Sequence, residues 1–295
     1  MRKFHLKNAA AQRMQDPGSG PQIPDSSIAE EQSGRGFPEE IRLVWRTDVG
    51  RVRKSNQDAV ILGDGFAGVA DGMGGHNGGE TASSGLRDGL LRELKGKNPD
   101  PALLENAVRK INLELWEQQE HNAALTGMGT TLTVLWAAEN EMIIAQVGDS
   151  RAYLLRGGEL RQITADHSLV ADMVRRGVLT EEQAACHPMR NYITRAVGTD
   201  DTIEVDMYCE TREPGDRWLI CSDGLYGQMG RAMLQELVSL ENENTAADRL
   251  LQTALDQGGK DNISLILLTD LTGKGSMPEG ASSEEEKQSE EEAEA

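Results

Sequence analysis

Five aspartates of this chain stand beside glycine or a small polar residue, each close to the end of an apolar run. They are Asp58, Asp71, Asp149, Asp223 and Asp261. Hard divalent cations prefer carboxylate and carbonyl oxygens, and glycine lets the backbone converge on a shared ion. Turn chemistry explains one such aspartate. Five in one domain predict strand ends that meet at one edge and form an all-oxygen metal site.

Each of these segments also has a simpler interpretation when it is taken alone. Asn56-Gln57-Asp58 reads as a polar loop after a strand, and the glycines from Gly72 to Gly75 as an ordinary turn. A hairpin turn explains Gly148-Asp149-Ser150 equally well. These alternatives stay open for the single segments, and only their repetition favours a metal site.

Short runs of branched and aromatic residues, bounded by turn residues, predict the strands that would position these aspartates. The runs are Ile41–Trp45, Phe66–Ala70, Thr130–Trp136, Met142–Val147, Ala152–Leu155, Arg217–Cys221 and Ser264–Leu268. Glu139-Asn140 has a length that joins two antiparallel neighbours, and so does Arg156-Gly157-Gly158 before a further strand, Glu159–Gln162. We therefore expect antiparallel hairpins.

Helical spacing of apolar residues occurs in four other segments. These are Ala82–Leu94, Pro101–Gln119, Ala232–Leu240 and Ala246–Leu255. Hairpins, then helix pairs, then strands again predict an α+β fold. In such a fold antiparallel sheets are covered by helices, in contrast to a doubly wound parallel sheet.

Composition excludes several classes of function. The formal net charge of -19 argues against nucleic acid as a partner, because neutralising phosphates requires clustered Lys and Arg. No run of about eighteen uncharged apolar residues occurs, and the first residues lack the apolar part of a signal peptide. We expect no membrane span. The three cysteines have no CxxC spacing, which favours a reducing compartment, and hence the cytoplasm.

The chain divides into three parts by composition. Residues 1–40 are rich in Pro, Gly, Ser and Gln and predict a flexible N-terminal extension. Residues 274–295 predict a disordered acidic tail, with eight glutamates and one lysine from Ser276 to Ala295. The tail fits an interaction arm, a self-inhibitory mimic of phosphate or solubilising charge. Residues 41–273 contain no linker or repeat and predict one domain.

Eight motifs resemble, in order and spacing, the bacterial branch of the type 2C metal-dependent protein phosphatases. They are RVRKSNQD, VADGMGGHNGGETAS, GMGTTLT, VGDSRAYLLR, ITADHS, HPMRNYITRAVG, SDGLYGQM and GKDNIS. The resemblance covers about residues 41–270, and the ordered set is far more specific than any one motif. It implies a sandwich of two antiparallel β-sheets flanked by helix pairs, with metals at one end of the sandwich.

The resemblance also implies a role for individual residues at those metals. Asp71 would bridge two Mn²⁺ or Mg²⁺ ions. Asp223 and Asp261 would hold one ion, and the carbonyl of Gly72 the other. Asp58 would act through metal-bound water.

Two further positions match the family pattern. Asp149 matches a ligand of a third ion, which it would share with Asp223. Arg53 matches the phosphate-binding arginine, whose planar fork can engage two phosphate oxygens, although an ordinary exposed arginine is its simpler interpretation.

The implied reaction is hydrolysis of phosphoseryl and phosphothreonyl groups by a hydroxide that bridges two metals. Two cations polarise the phosphoryl oxygens and lower the pKa of the water between them. A cysteine phosphatase is a poor match, because no cysteine is followed by an arginine at the sixth position beyond it.

The chain departs from the family pattern directly after Asp71-Gly72. Met73 stands near the place where many eukaryotic members have a histidine proposed as the acid, and a methionine cannot donate a proton. His76 is close in sequence, but a turn histidine is its simpler interpretation. Residues 165–192 match the mobile flap of bacterial members, which we expect to influence substrate choice and the third metal.

Two other functions are compatible with the same residues. A non-catalytic metal-binding or phosphopeptide-binding module is opposed by the presence of mutually repelling carboxylates together with Arg53. A two-metal hydrolase of a small phosphomonoester or nucleotide would use the same ligands, and only the resemblance favours phosphoproteins. We expect phosphorylated proteins as substrates, a Ser/Thr kinase as biological counterpart, and a monomer.

Overall fold

The structure is a computed structural model that describes residues 36–74 and 78–272. The strands are β1 (Ile41–Asp48), β2 (Asp58–Leu62), β3 (Phe66–Met73), β4 (Gly129–Thr130), β5 (Leu132–Ala137), β6 (Glu141–Val147), β7 (Arg151–Arg156), β8 (Glu159–Gln162), β9 (Asp206–Thr211), β10 (Arg217–Cys221) and β11 (Ile263–Asp270). The α-helices are α1 (Gly78–Glu93), α2 (Pro101–His121), α3 (Leu169–Arg175), α4 (Glu181–Ala185), α5 (Asp223–Tyr226), α6 (Arg231–Val238) and α7 (Glu243–Asp256).

The strands form two antiparallel sheets. One sheet has the order β1-β11-β10-β7-β8, and the other β2-β3-β5-β6-β9, with β4 paired to β3. Both predicted hairpins are confirmed: β5 pairs with β6 across Glu139-Asn140, and β7 with β8 across Gly157-Gly158. The two glycines have φ of 58° and 83°, which suits a tight hairpin turn.

Alternation along the strands divides the apolar side chains among three cores. On β3, Ala67 and Val69 face the other sheet, where they pack with Trp218, whereas Phe66 belongs to the opposite face. That outer face of the six-stranded sheet is covered by α1 and α2, and the outer face of the five-stranded sheet by α6 and α7. The predicted α+β sandwich with flanking helix pairs is confirmed.

The start of α2 shows how local sequence sets an element. Asp100 has an extended backbone, and its side chain accepts a hydrogen bond from the N–H of Leu103. Pro101 occupies the first turn, where its missing N–H costs nothing. The predicted helix therefore begins where its capping residues place it.

The described part of the chain begins before β1. Phe37 is buried between the two sheets. Nearly all of the predicted extension and tail, as well as His76, lies outside the described residues, and the three-part division stays a prediction. No helix in residues 36–74 and 78–272 has the length and apolar character needed to cross a bilayer.

Candidate metal centre

The predicted aspartates come from strand ends and turns at one end of the sandwich. Asp58 begins β2 and is paired with Asp71 on β3 in the antiparallel register. Asp223 begins α5 after β10, and Asp261 lies just before β11. Asp149 lies in the turn between β6 and β7.

The pKa of Asp71 identifies the middle of this group. Burial raises it well above its ordinary value, and the charges of four other carboxylates raise it further: Asp58, Asp223, Asp149 and Asp261. Like charges have such an effect only at short range. The structure therefore brings all five predicted aspartates together around Asp71.

Three of the surrounding carboxyl groups also have raised pKa values. Burial is the main cause in each case, and it raises the pKa of Asp58 to about 7, of Asp149 to about 8 and of Asp223 to about 6. The charge of Asp261 raises the pKa of Asp223, and the guanidinium of Arg53 lowers it. Ionisation of these carboxyl groups is therefore unfavourable, because they are buried and repel one another. A bound cation would offset both effects.

Two carboxylate oxygens at the centre, Asp58 Oδ1 and Asp223 Oδ1, are buried and accept no hydrogen bond from any described residue. Buried polar atoms are nearly always paired, so both oxygens require an explanation. A divalent cation supplies one, since oxygen is the ligand that Mn²⁺ and Mg²⁺ take. The donor set fits the metals that the sequence predicts.

The other oxygen of Asp58 is held in place. Ser222 Oγ donates to Asp58 Oδ2 at 2.8 Å and accepts from the N–H of Ser264 at 3.0 Å. Ser222 follows β10 and Asp58 begins β2, so this bond joins the ends of the two sheets. It also fixes the orientation of the Asp58 carboxylate.

The carboxylates lie near one another without forming a closed cage. Within the described ranges, no three His, Cys, Asp or Glu side chains are grouped so that they could hold an ion as they stand. Mutual repulsion among buried carboxylates opposes such a cage until a cation is present.

Backbone contacts hold the end of β3 firmly. Asp71 N–H donates to Thr131 Oγ1 at 2.9 Å, and Asp71 C=O accepts from Thr131 N–H at 2.9 Å. Gly72 is buried, and a Cβ at this position would lie 2.1 Å from the carbonyl oxygen of Gly79. Only glycine permits that close approach to the start of α1.

Arg53 lies at the solvent side of the centre, where it pairs with a predicted ligand. Its Nη2 donates to Asp261 Oδ2 at 2.7 Å, and half of the arginine side chain is exposed. Asp261 Oδ1 accepts from the N–H of Asn262 at 2.8 Å. The structure therefore places the fork of Arg53 beside the carboxylates, in a position open to an incoming anion.

A chain of contacts connects Asp149 to the predicted flap. Tyr226 Oη donates to the carbonyl of Asp149 at 2.9 Å, and the guanidinium of Arg151 lies 3.6 Å from the centre of the Tyr226 ring. Arg151 Nε and Nη2 donate to the two oxygens of Asp166, at 3.0 and 2.7 Å. Asp166 stands at the start of the flap.

His167 makes a second connection from the flap to the Asp149 turn. The N–H of Gly148 donates to His167 Nδ1 at 3.0 Å, and His167 Nε2 lies 3.1 Å from Asp206 Oδ2. This pattern assigns the ring proton to Nε2 in a neutral imidazole. Burial lowers the pKa of His167 further than the bond to Asp206 raises it.

The rest of the flap is largely exposed. It contains α3 and α4, and it is closed at its base by the bond from Leu169 N–H to Tyr192 C=O at 2.9 Å. Val178 and Tyr192 are 65% and 57% exposed. The flap is therefore anchored at its base and contributes little to the cores.

The position of the missing histidine lies at the end of β3. Met73 is partly buried there and pairs with Gly129 on β4. His76 lies outside the described residues, so its role in proton transfer stays a prediction.

Four residues of the centre were missed as candidates from the sequence: Ser222, Asn262, Thr131 and Tyr226. Ser222 and Asn262 carried a local signal, because each directly neighbours a predicted ligand in the chain. Thr131 and Tyr226 carried none, since their contacts depend on which strands and helices become neighbours.

A family model, Protein phosphatase 2C, matches residues 51–267. The match covers well over half of the chain, and the chain belongs to this family.

Curated relatives agree with that membership. The chain is 40% identical over 230 residues to the Serine/threonine protein phosphatase PstP of Mycobacterium tuberculosis, which covers 77% of this chain but 44% of that protein. It is 37% identical to the Serine/threonine phosphatase stp of Listeria monocytogenes, over 78% of this chain and 97% of that protein. The chain thus spans less than half the length of the mycobacterial relative.

Solved structures agree as well. A crystal structure of the catalytic domain of PstP in complex with two manganese ions has a TM-score of 0.72 and 37% identity. The alignment covers 78% of this chain and 97% of that one. That protein binds manganese, one of the metals that the carboxylate oxygens around Asp71 fit.

Proposed function

We propose that this chain is a metal-dependent protein serine/threonine phosphatase that hydrolyses phosphoseryl and phosphothreonyl groups. The observation that carries the proposal is the set of carboxylates around Asp71, with two buried oxygens that have no partner, beside the exposed fork of Arg53. The family membership and the names of the relatives support it.

Each residue has a proposed task. Asp71, Asp223, Asp261 and the carbonyl of Gly72 would hold two Mn²⁺ or Mg²⁺ ions. Asp149 would hold a third ion together with Asp223. When bound, such ions neutralise phosphoryl charge and lower the pKa of water toward neutrality.

Arg53 and Asp58 complete the proposed site. Arg53 would bind two oxygens of the phosphoryl group through its planar fork. Asp58 is oriented by Ser222, and its Oδ1, which accepts no hydrogen bond from a described residue, would act at the ions through metal-bound water.

The proposal includes the setting of the reaction. Phosphorylated proteins would be the substrates, a Ser/Thr kinase the enzyme whose products are removed, and the monomer the active form. Three free cysteines in the described residues, Cys186, Cys209 and Cys221, support a reducing compartment and hence the cytoplasm. Residues 41–273 would form the catalytic domain.

The test measures hydrolysis of a chromogenic phosphate ester and of a phosphothreonine peptide with Mn²⁺, with Mg²⁺ and with chelator. Activity on both substrates should require metal and be lost in Asp223→Asn, while the exposed control Asp201→Asn keeps it. Folded protein without activity under any metal would favour a binding module. Activity on the small ester alone would favour a hydrolase of another ester.

A further inference from the structure

Residues 49–55 form a loop that is fixed at both ends beside the centre. The buried side chain of Asn262 donates through Nδ2 to the carbonyls of Val49 and Ser55, both at 3.0 Å. Its Oδ1 accepts from the N–H of Gln57 at 2.8 Å. One side chain, next in sequence to Asp261, thus closes the loop.

The middle of the loop is fixed as well. The N–H of Arg51 donates to the carbonyl of Gly259 at 2.7 Å. Gly50 has a φ of 78°, and a Cβ there would lie 2.2 Å from the carbonyl oxygen of Asp261. The loop is pressed against the segment that carries a predicted metal ligand, and its backbone has little freedom to move.

Several side chains of this loop are exposed to solvent, and two of those that do not face the centre, Arg51 and Lys54, carry positive charge. Arg51, Val52 and Lys54 are exposed, with Val52 at 66%. Lys260, from the neighbouring segment, is exposed as well. We call Arg51, Val52, Lys54 and Lys260 the basic lip; Arg53, whose fork faces the centre, is not included.

The cations of the basic lip differ from most arginines of the molecule. Arg46, Arg151 and Arg212 are paired with carboxylates. Arg51, Lys54 and Lys260 form no ion pair with a described residue. These cations without an ion partner among the described residues lie beside the centre of a chain whose net charge is -19.

We propose that the basic lip binds acidic side chains that flank the phosphorylated residue of the substrate, so that the chain prefers phosphoproteins with acidic sequences at the site. This rests on the proposed function. Because the loop is already ordered, binding restricts only the side chains. Exposed pairs of opposite charge are individually weak, and two or three together correspond to about a 5- to 20-fold preference. Val52 would contact the apolar parts of the same segment.

The test uses two phosphothreonine peptides that differ only at the flanking positions, where one has Asp and Glu and the other Asn and Gln. With Mn²⁺, kcat/KM for the acidic peptide should be about 5- to 20-fold higher, mainly through KM. The difference should shrink at high salt, because screening weakens exposed charge pairs.

Matched variants distinguish a local effect of the basic lip from a general effect of positive charge on the surface. Lys54→Gln/Lys260→Gln should lose most of the preference, and Lys54→Arg/Lys260→Arg should keep it. Lys95→Gln/Lys97→Gln removes two exposed charges near the β2–β3 turn, at the other end of the sandwich, and should behave like the unchanged chain. Hydrolysis of the chromogenic ester should be unchanged in all of them.

Binding in chelator distinguishes the two proposals, because it needs no catalysis. Fluorescence anisotropy should show tighter binding of the acidic peptide to the full chain, lost in the Gln variant. The proposed role of the basic lip is wrong if the two peptides bind equally, or if the Lys95/Lys97 control loses the preference for the acidic peptide as fully as the Gln variant does. If the chain binds the acidic peptide more tightly but hydrolyses neither substrate with any metal, the proposed phosphatase function is wrong and the proposed role of the basic lip is retained.

Discussion

The carboxylate centre and the flap lie next to each other and are built in opposite ways. At the centre, Ser222 joins the ends of the two sheets through its bond to Asp58, and Thr131 holds Asp71 within the six-stranded sheet. In the flap, α3 and α4 are short and only the base is paired to the rest of the chain. A fixed centre suits chemistry that depends on charge placement, whereas an exposed flap can adapt to different proteins.

The boundary between these regions is narrow. Asp166 and His167, at the start of the flap, are buried and hold Arg151 and Gly148. Beyond them most side chains are exposed. Among the described residues, the base of the flap is thus bonded to the Asp149 turn and to β9 but not to Asp71, which implies that flap changes affect Asp149 first.

The largest effect is expected when the middle of the centre is changed. Asp71→Asn removes the carboxylate that interacts with all four others, and we expect kcat on a phosphothreonine peptide to fall by about 10³-fold or more. Because Asn cannot ionise, the repulsion that an ionised Asp71 adds at high pH is removed, and metal-free stability should rise there. Thermal unfolding and kinetics check both effects. A variant that keeps more than about a tenth of the activity would mean that the centre is not built around Asp71.

Much of this centre could be anticipated from the sequence, because its ligands lie next to strands with a strong apolar pattern. The predicted strand Arg217–Cys221 matches β10 in full, and Phe66–Ala70 is the first part of β3. The aspartates that follow were recognisable by repetition. Their mutual arrangement required only that the strand ends meet.

Other elements could not be anticipated, for physical reasons. β2 contains five residues and begins with the polar Asp58, and its pairing is set by β3. β9 is an edge strand with partly exposed residues and no apolar run, so its existence depends on β6. The flap helices α3 and α4 are too short for a periodic signal.

The second prediction concerns pH in the absence of metal. The pKa of an aspartate in the unfolded chain is about 3.8. In the folded chain the pKa is about 7 for Asp58 and about 8 for Asp149. Between these values the folded state binds more protons, so this contribution to stability is present at low pH and is lost as pH rises. With chelator, urea unfolding should show decreasing stability from about pH 6.5 to 8.5.

The same experiment has an internal control. Below about pH 6.5 His167 contributes with the opposite sign, since its lowered pKa makes protonation destabilising, which is why the window begins there. Asp58→Asn should flatten the slope, and added Mn²⁺ should stabilise more at high pH, because metal and protons compete for the carboxylates. A metal-free chain whose stability stays constant across the window would contradict the shared buried charge.

The third prediction tests the attachment of the flap. His167→Ala leaves the buried N–H of Gly148 without its acceptor, and we expect a loss of about 1–3 kcal/mol in the free energy of unfolding. Protease cleavage within residues 169–192 should become faster by more than global unfolding explains. His187→Ala is the control, because this partly exposed histidine accepts at Nδ1 from Met189 N–H, two residues away and within the flap itself. Equal cleavage in the two variants would remove His167 as the anchor.

The smallest effect is expected at the exposed part of the flap. Val178→Ser changes a side chain that is 65% exposed, and the free energy of unfolding should change by less than about 0.5 kcal/mol. Val197→Ala, at a fully buried valine just beyond the flap, should cost about 2 kcal/mol by comparison. Denaturant unfolding of both variants measures the difference. If Val178→Ser cost as much as Val197→Ala, the flap would be packed against the domain in solution. Weak packing would then not explain how the flap adapts to different substrates.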